Sequence, residues 1–127
     1  MKILGVGVDI VENSRIAKSL KNKLFIKRIY SNSEILMSNK IKDKNSYYSK
    51  RFAAKEAFVK SIGTGFRDDI NFNDISIVND KLGKPSFLIN EKIKRIVKKK
   101  FKTTSFNFFL SISDEKKYSV AFVILQK

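Results

Sequence analysis

Three charged residues and a glycine pair carry the chemistry that can be read from this chain. Asp9 closes an apolar, glycine-bearing run, G-V-G-V-D-I-V-E at 5–12. Glu56 and Lys60 stand four residues apart in R-F-A-A-K-E-A-F-V-K-S-I-G-T-G at 51–65. At about 100° per residue, a helix puts Phe52, Glu56 and Lys60 near one line and lets other backbone come close to Ala53, Ala54 and Ala57. A carboxylate at a strand end, a helical glutamate, a lysine one turn on and a Gly-x-Gly turn can together hold a metal ion against a pyrophosphate. Taken singly, each has a plainer explanation. Glu56 and Lys60 form an i,i+4 pair of the kind that stabilises any exposed helix by about 0.3 kcal/mol. Asp9 fits a turn or cap, and Gly63 an ordinary helix end.

Composition bounds what these residues can belong to. A chain of 127 residues that is 43% hydrophobic supports one core and leaves no room for a second ordinary domain. With no cysteine there are no disulfides or thiolate metal sites, and with no histidine the usual general base and zinc ligand are missing. No apolar run approaches the roughly 20 residues that span a bilayer, and the N-terminus does not read as a signal peptide, so a cytoplasmic protein without membrane contact is expected. Lys and Arg number 27 against 12 Asp and Glu, a net charge of +15 that attracts polyanions. Only 5 of the 27 are Arg. Arg is the better reader of bases and phosphates, so the excess of Lys argues against sequence-specific nucleic-acid recognition. A compositional bias toward Lys, Asn and Ile accounts equally well for much of the surface charge.

Around the charged residues the patterning predicts one continuous α+β domain over 1–127 with a mostly antiparallel sheet and a long central helix. Residues 2–10 read as a buried strand. Short helices follow near 14–21 and 24–29, and Ser31 with Glu34 forms a capping box for another. The polar stretch 39–45 reads as a loop. Ser46 then caps the longest helix, 47–62, which ends at Gly63 in the left-handed conformation. Strands at 74–79 and 86–89 flank D-K-L-G-K-P, and Asn90 caps a basic helix to 101. A terminal hairpin joins 105–113 to 118–125 through D-E-K-K. Val120 to Leu125 is apolar at nearly every position, so both faces of that strand are expected to be covered, with a second copy of the chain as one candidate cover.

Four blocks then acquire a joint meaning: G-V-G-V-D-I-V-E-x-x-R-I at 5–16, F-I-K-R-I-Y-S-x-x-E at 25–34, the 51–65 block, and N-D-I-S-I-V-N-D-K-L-G-K-P at 73–85. In this order and spacing the whole chain resembles the holo-acyl-carrier-protein synthase family, the small-type 4′-phosphopantetheinyl transferases. The resemblance implies the transferase fold of that family. It also implies transfer of the 4′-phosphopantetheine arm of coenzyme A to a serine of apo acyl carrier protein, in support of fatty acid or lipid synthesis. Asp9 and Glu56 match the family's Mg²⁺ ligands, and Lys60 matches its pyrophosphate-binding lysine, which makes Glu56 and Lys60 the catalytic pair. Coenzyme A contacts fall on Arg51, Lys60, Gly63, Thr64, Gly65, Lys84 and Pro85. Arg15 matches a position facing the carrier protein, an acidic partner that suits the positive charge. The family assembles as a homotrimer with active sites between subunits.

One position departs from the pattern. The family reads S-I-S-H where this chain reads S-I-S-D, so Asp114 replaces a histidine near the coenzyme A site. Either Asp114 turns away from the phosphate, or Lys116 or Lys117 replaces the contact, and without a histidine the serine proton is expected to leave through a water ordered by the metal or a carboxylate, Glu56 being the nearest candidate. Two other classes fit parts of the sequence. A nucleic-acid-binding module without enzymatic activity would use the basic segment 92–102. An inert oligomeric scaffold would have no reason to keep Asp9, Glu56 and Lys60 together.

Overall fold

Glycines 5 and 7 decide where the longest helix lies. The computed structural model describes residues 1–66 and 69–127. In it, strand β1 (Ile3–Glu12) runs directly beneath helix α4 (Lys44–Ile62). A Cβ on Gly5 would overlap the Ser61 carbonyl oxygen. One on Gly7 would overlap that of Ala57 and lie 2.8 Å from the Ser61 amide nitrogen. From the helix side, Ala53, Ala54 and Ala57 are fully buried, so two backbones meet with almost no side chain between them.

The remaining elements wrap this contact. Helices α1 (Asn13–Ser19), α2 (Lys23–Ile29) and α3 (Asn32–Ser38) precede α4. A 3₁₀ turn at Phe72–Asp74, strands β2 (Ser76–Asn79) and β3 (Pro85–Leu88), helix α5 (Glu91–Phe101), and strands β4 (Asn107–Asp114) and β5 (Tyr118–Gln126) follow it. The main sheet is antiparallel in the order β1-β5-β4, and β2 and β3 form a separate antiparallel pair. Phe58 of α4 ties the two together: its ring centroid lies 4.7 Å from Phe87 on β3 and 4.4 Å from Phe108 on β4. The expected α+β architecture, with its antiparallel sheet and long helix, is the one observed.

Several boundaries move, each for a local reason. Helix α4 begins at Lys44 rather than 47, because Asp43 and not Ser46 is its cap: the Asp43 carboxylate accepts from the Ser46 amide at 3.0 Å. Part of the expected 39–45 loop is therefore helix. Strand β1 continues to Glu12, and β4 continues through Asp114, which shortens the hairpin turn to 115–117. The capping box at Ser31 is present in both directions, Gly63 has φ 85°, and Asn90 caps α5 through the Ile93 amide at 2.9 Å.

The expected covering of strand faces holds on one side only. Ser119, Ala121, Val123 and Leu125 of β5 are buried against α4. The opposite face is bare in the single chain. Val6, Val8 and Ile10 of β1 are more than half exposed, opposite Ile124, Phe122 and Val120, and Phe109 of β4 extends the patch. β1 is thus not the buried strand that its composition predicts. No helix among the described residues is long and apolar enough to cross a membrane.

A buried ion pair holds α3, α4 and the 72–77 segment together. The Lys55 ammonium donates to Glu34 Oε1 at 2.7 Å, to the Phe72 carbonyl at 3.0 Å and to the Ile75 carbonyl. Glu34 also accepts from the Ser31 amide at 2.9 Å and the Ile77 amide at 3.0 Å. Burial pushes the Lys55 pKa down, and the Glu34 carboxylate works against that shift.

Two stability measurements follow from these contacts. Gly7→Ala forces β1 off α4, and urea denaturation is expected to show a loss of about 3 kcal/mol or more. Glu34→Ala strands a buried ammonium and is expected to lose roughly 3–5 kcal/mol, whereas Glu34→Leu combined with Lys55→Met recovers part of that loss.

Candidate active site

Asp9, Glu56 and Lys60 meet in one cleft because of the β1–α4 contact. Asp9 lies on β1 two residues past Gly7, where the strand leaves the helix. Phe52, Glu56 and Lys60 form one stripe of α4 facing it, and all four line a cleft with Phe25 of α2 and Arg15 of α1. The Lys60 ammonium donates to Asp9 Oδ1 at 3.1 Å and to the Val8 carbonyl at 3.0 Å. The helical pair of the sequence is therefore not an isolated surface pair: Lys60 reaches across to the strand.

Lys60 pairs with Asp9, and Glu56 has no ion-pair partner among the described residues. Burial, and then the nearby Asp9 carboxylate, raise the Glu56 pKa above the ordinary carboxylate range, with Lys60 offsetting part of the shift. Two carboxylates close enough to repel, backed by one ammonium, form a cradle for a further cation. Among the described residues no cluster of three or more His, Cys, Asp or Glu exists. A cation here has two protein carboxylates and must take its other ligands from phosphate or water, a donor set that suits a hard ion such as Mg²⁺.

Of the other predicted site residues, Arg51 and Thr64 line two further clefts. Arg51 lies on a different face of α4 and is buried. It donates to Asn79 Oδ1 at 2.6 Å, and its guanidinium sits 3.7 Å from the centre of the Tyr47 ring. Its Nε is buried with no hydrogen-bond partner among the described residues and lies 3.9 Å from Glu34 Oε2, which balances its charge. Asn79 in turn donates to the Gly83 carbonyl at 2.9 Å and pairs in register with Pro85, so Arg51 is wired to the Gly83-Lys84-Pro85 turn. Ser46, Lys50, Arg51 and Asn79 line this second cleft. Asp114 stands at its rim, its carboxylate accepting from the Ser46 hydroxyl at 2.9 Å. The departure from the family pattern is thus absorbed by a bond to the first turn of α4. Thr64 lines a third cleft, along α5, and both Gly63 and Gly65 have positive φ, at 85° and 65°.

Sequence reasoning missed Lys55, Tyr47, Asn79 and Phe25. Lys55 and Asn79 were within the quoted blocks, but only the fold separates the buried structural lysine of K-E-A-F-V-K from the cleft lysine. Phe25 opens another of those blocks, but its role depends on a partner distant in sequence: its ring stacks on Phe52, with centroids 6.3 Å apart, to form a wall of the first cleft.

Comparisons with known proteins place the chain in a family. Residues 5–123 match the model of the 4′-phosphopantetheinyl transferase superfamily. The chain is 74% identical over 127 residues to a holo-[acyl-carrier-protein] synthase of Pelagibacter ubique, covering 100% of this chain and 99% of that protein. Among solved structures it is similar to the Neisseria meningitidis holo-[acyl-carrier-protein] synthase, with TM-score 0.89 and 37% identity over 99% of this chain and 100% of that one. It is also similar to the Bacillus anthracis synthase in complex with CoA (3′,5′-ADP), with TM-score 0.81 and 35% identity over 98% and 97%.

The raised Glu56 pKa has a testable consequence in chelator. Because the folded-state pKa lies above the unfolded value of about 4.3, the favourable contribution of the neutral form is full below that pH and is lost as pH rises through the folded value. At pH 7–8, Glu56→Gln is therefore expected to melt at a higher temperature than the unsubstituted protein. The gain should shrink as pH falls toward 4, as thermal melts across that range would show.

Proposed function

This chain belongs to the 4′-phosphopantetheinyl transferase superfamily, and from that premise we propose that it moves the 4′-phosphopantetheine arm of coenzyme A onto a serine hydroxyl of apo acyl carrier protein, releasing adenosine 3′,5′-bisphosphate. The observation that carries this reading is the convergence of Asp9, Glu56 and Lys60, from two different elements, in one cleft. Attack at the β-phosphorus builds charge on pyrophosphate oxygens, so catalysis rests on positioning and neutralisation. Asp9 and Glu56 would hold Mg²⁺, which supplies the larger share of that neutralisation. Lys60, half-exposed and bonded only to oxygens, can turn from Asp9 to a phosphate oxygen and stay charged as the leaving group departs. Glu56, the carboxylate nearest Lys60 on the helix stripe, is placed to accept the serine proton through an ordered water.

The same reading assigns the surrounding residues. Arg51, Lys84 and Pro85 face the nucleotide, and Gly63, Thr64 and Gly65 let backbone approach the phosphates. Arg15, exposed at the mouth of the first cleft, meets the acidic carrier protein. We further infer a homotrimer. Support comes from the bare apolar face of Val6, Val8, Ile10, Phe109 and Phe122, which a neighbouring copy would cover. Separation of the Arg51 cleft from the Asp9 cleft supports active sites shared between subunits. The reading includes a cytoplasmic location and a role in fatty acid or lipid synthesis.

Incubation with coenzyme A, Mg²⁺ and an apo acyl carrier protein is expected to add one phosphopantetheine to the carrier by intact mass. An unmodified carrier would overturn the proposal. Asp9→Ala and Glu56→Ala should each lower kcat/KM by at least about 100-fold, and each should abolish the rise in melting temperature that Mg²⁺ produces in the unsubstituted protein. Arg15→Glu should raise the KM for carrier protein and leave that for coenzyme A within about twofold, an effect that weakens with salt.

A further inference from the structure

The transferase reading gives no residue of helix α5 a role, while Thr64, assigned there to the phosphates, lines a hollow along it. Ile93 and Val97 are fully buried, and the opposite side of the helix is cationic. On a helical projection, Lys92, Arg95, Lys98 and Lys99 fall within an arc of about 120°, and Lys102 at the C-cap extends the row to about 15 Å. Lys92 is held by Asp74 at 2.8 Å, and Lys94 by Glu91 at 3.1 Å. Arg95, Lys98, Lys99, Lys100 and Lys102 have no carboxylate within ion-pair distance among the described residues.

The stripe is flanked by hollows. One is lined by Thr64, Arg95, Lys99 and Lys100, with Asp69 as its single carboxylate, and the other by Arg95, Lys98, Lys99, Lys102 and Thr104. It also adjoins the end of the catalytic helix. The Lys100 ammonium lies over Gly63, the residue that ends α4 one turn past Lys60: a Cβ on Gly63 would stand 2.9 Å from it.

We propose that the exposed face of α5 is a docking surface for an acidic protein helix, and that its occupant is the carrier protein, held here in addition to its contact at Arg15. This rests on the transferase reading above. Two features favour this occupant over other polyanions. Four of the five cations of the row, at 92, 95, 98, 99 and 102, are Lys, and the ring nearest the stripe, Phe101, is partly buried against the core and offers little face for base stacking. The stripe also carries no exposed apolar side chain to enter a lipid surface. What remains is a row of long, solvated ammonium groups, which raises encounter rates with a carboxylate-rich helix.

The test compares the unsubstituted enzyme with Arg95→Glu/Lys99→Glu and with the neutral set Arg95→Gln/Lys98→Gln/Lys99→Gln, each checked for an unchanged melting temperature. At low salt the reversal should raise the KM for apo carrier about fivefold, the neutral set less, and both differences should fade near 0.5 M salt. The KM for coenzyme A should stay within about twofold. An unmoved carrier KM overturns the inference, and so does an equal rise for coenzyme A, which would mean that the hollows hold coenzyme A. Binding of a short random DNA duplex that falls in the variants while carrier KM stays put overturns it in favour of nucleic acid. If the unsubstituted enzyme transfers nothing, the transferase reading fails by itself. Fluorescence anisotropy of a labelled carrier with its acceptor serine replaced by Ala, titrated with each variant, then decides the docking surface alone, a loss of affinity in the reversal supporting it and equal affinity overturning it.

Discussion

Helix α4 rests on strand β1 with two glycines where side chains would otherwise stand. That approach fixes the depth of the helix against the sheet, and so decides that Glu56 and Lys60 can reach Asp9 at all. A Cβ on either glycine would meet a helix carbonyl, and the helix would have to lift from the strand. The Lys60 bond to Asp9 at 3.1 Å spans that short gap. A packing requirement and a site requirement are here the same requirement, since the residues that permit the contact, Gly5 and Gly7, lie in the same strand as the carboxylate they position.

The opposite side of α4 is fixed by charge rather than by closeness. Lys55 is buried with three oxygen acceptors, and Glu34 answers it while also accepting two backbone amides. Such a pair contributes little net stability over apolar residues of the same size, but it tolerates one geometry only. It therefore fixes the register of α3 and of the 72–77 segment against α4. Phe72 then stacks on Phe52, with centroids 5.4 Å apart, and Phe52 forms a wall of the catalytic cleft. The buried lysine acts on the site through the aromatic ring it helps to hold.

A single chain leaves two things unfinished. One sheet face carries Val6, Val8, Ile10, Phe109 and Phe122 in the open, and the Arg51 cleft stands on a different side of α4 from the Asp9 cleft. Both observations are accounted for at once if copies of the chain meet on that face and share substrate between them, as proposed above.

What the sequence determined by itself was the class of the fold and the residue types of the site. Periodicity, the Ser31 capping box and the left-handed Gly63 are local physics, and they appear where the sequence puts them. The boundary errors were also local: Asp43 and Ser46 are both good caps, and only the backbone bond to Asp43 chooses between them. The roles of like residues were not local. Lys55 and Lys60 stand five apart in one helix, yet one is sealed in the core and the other opens on the cleft, because α4 is covered by α3 and the 72–77 segment on one side and meets β1 at its margin on the other. Asp114 was legible as a departure, but its bond to Ser46, 68 positions away, depends on how β4 meets the start of α4. The exposed face of β1 and β5 belongs to the same category. An apolar pattern requires that a surface be covered, and it takes the tertiary structure to reveal which face the chain covers with its own helix and which it leaves for something else.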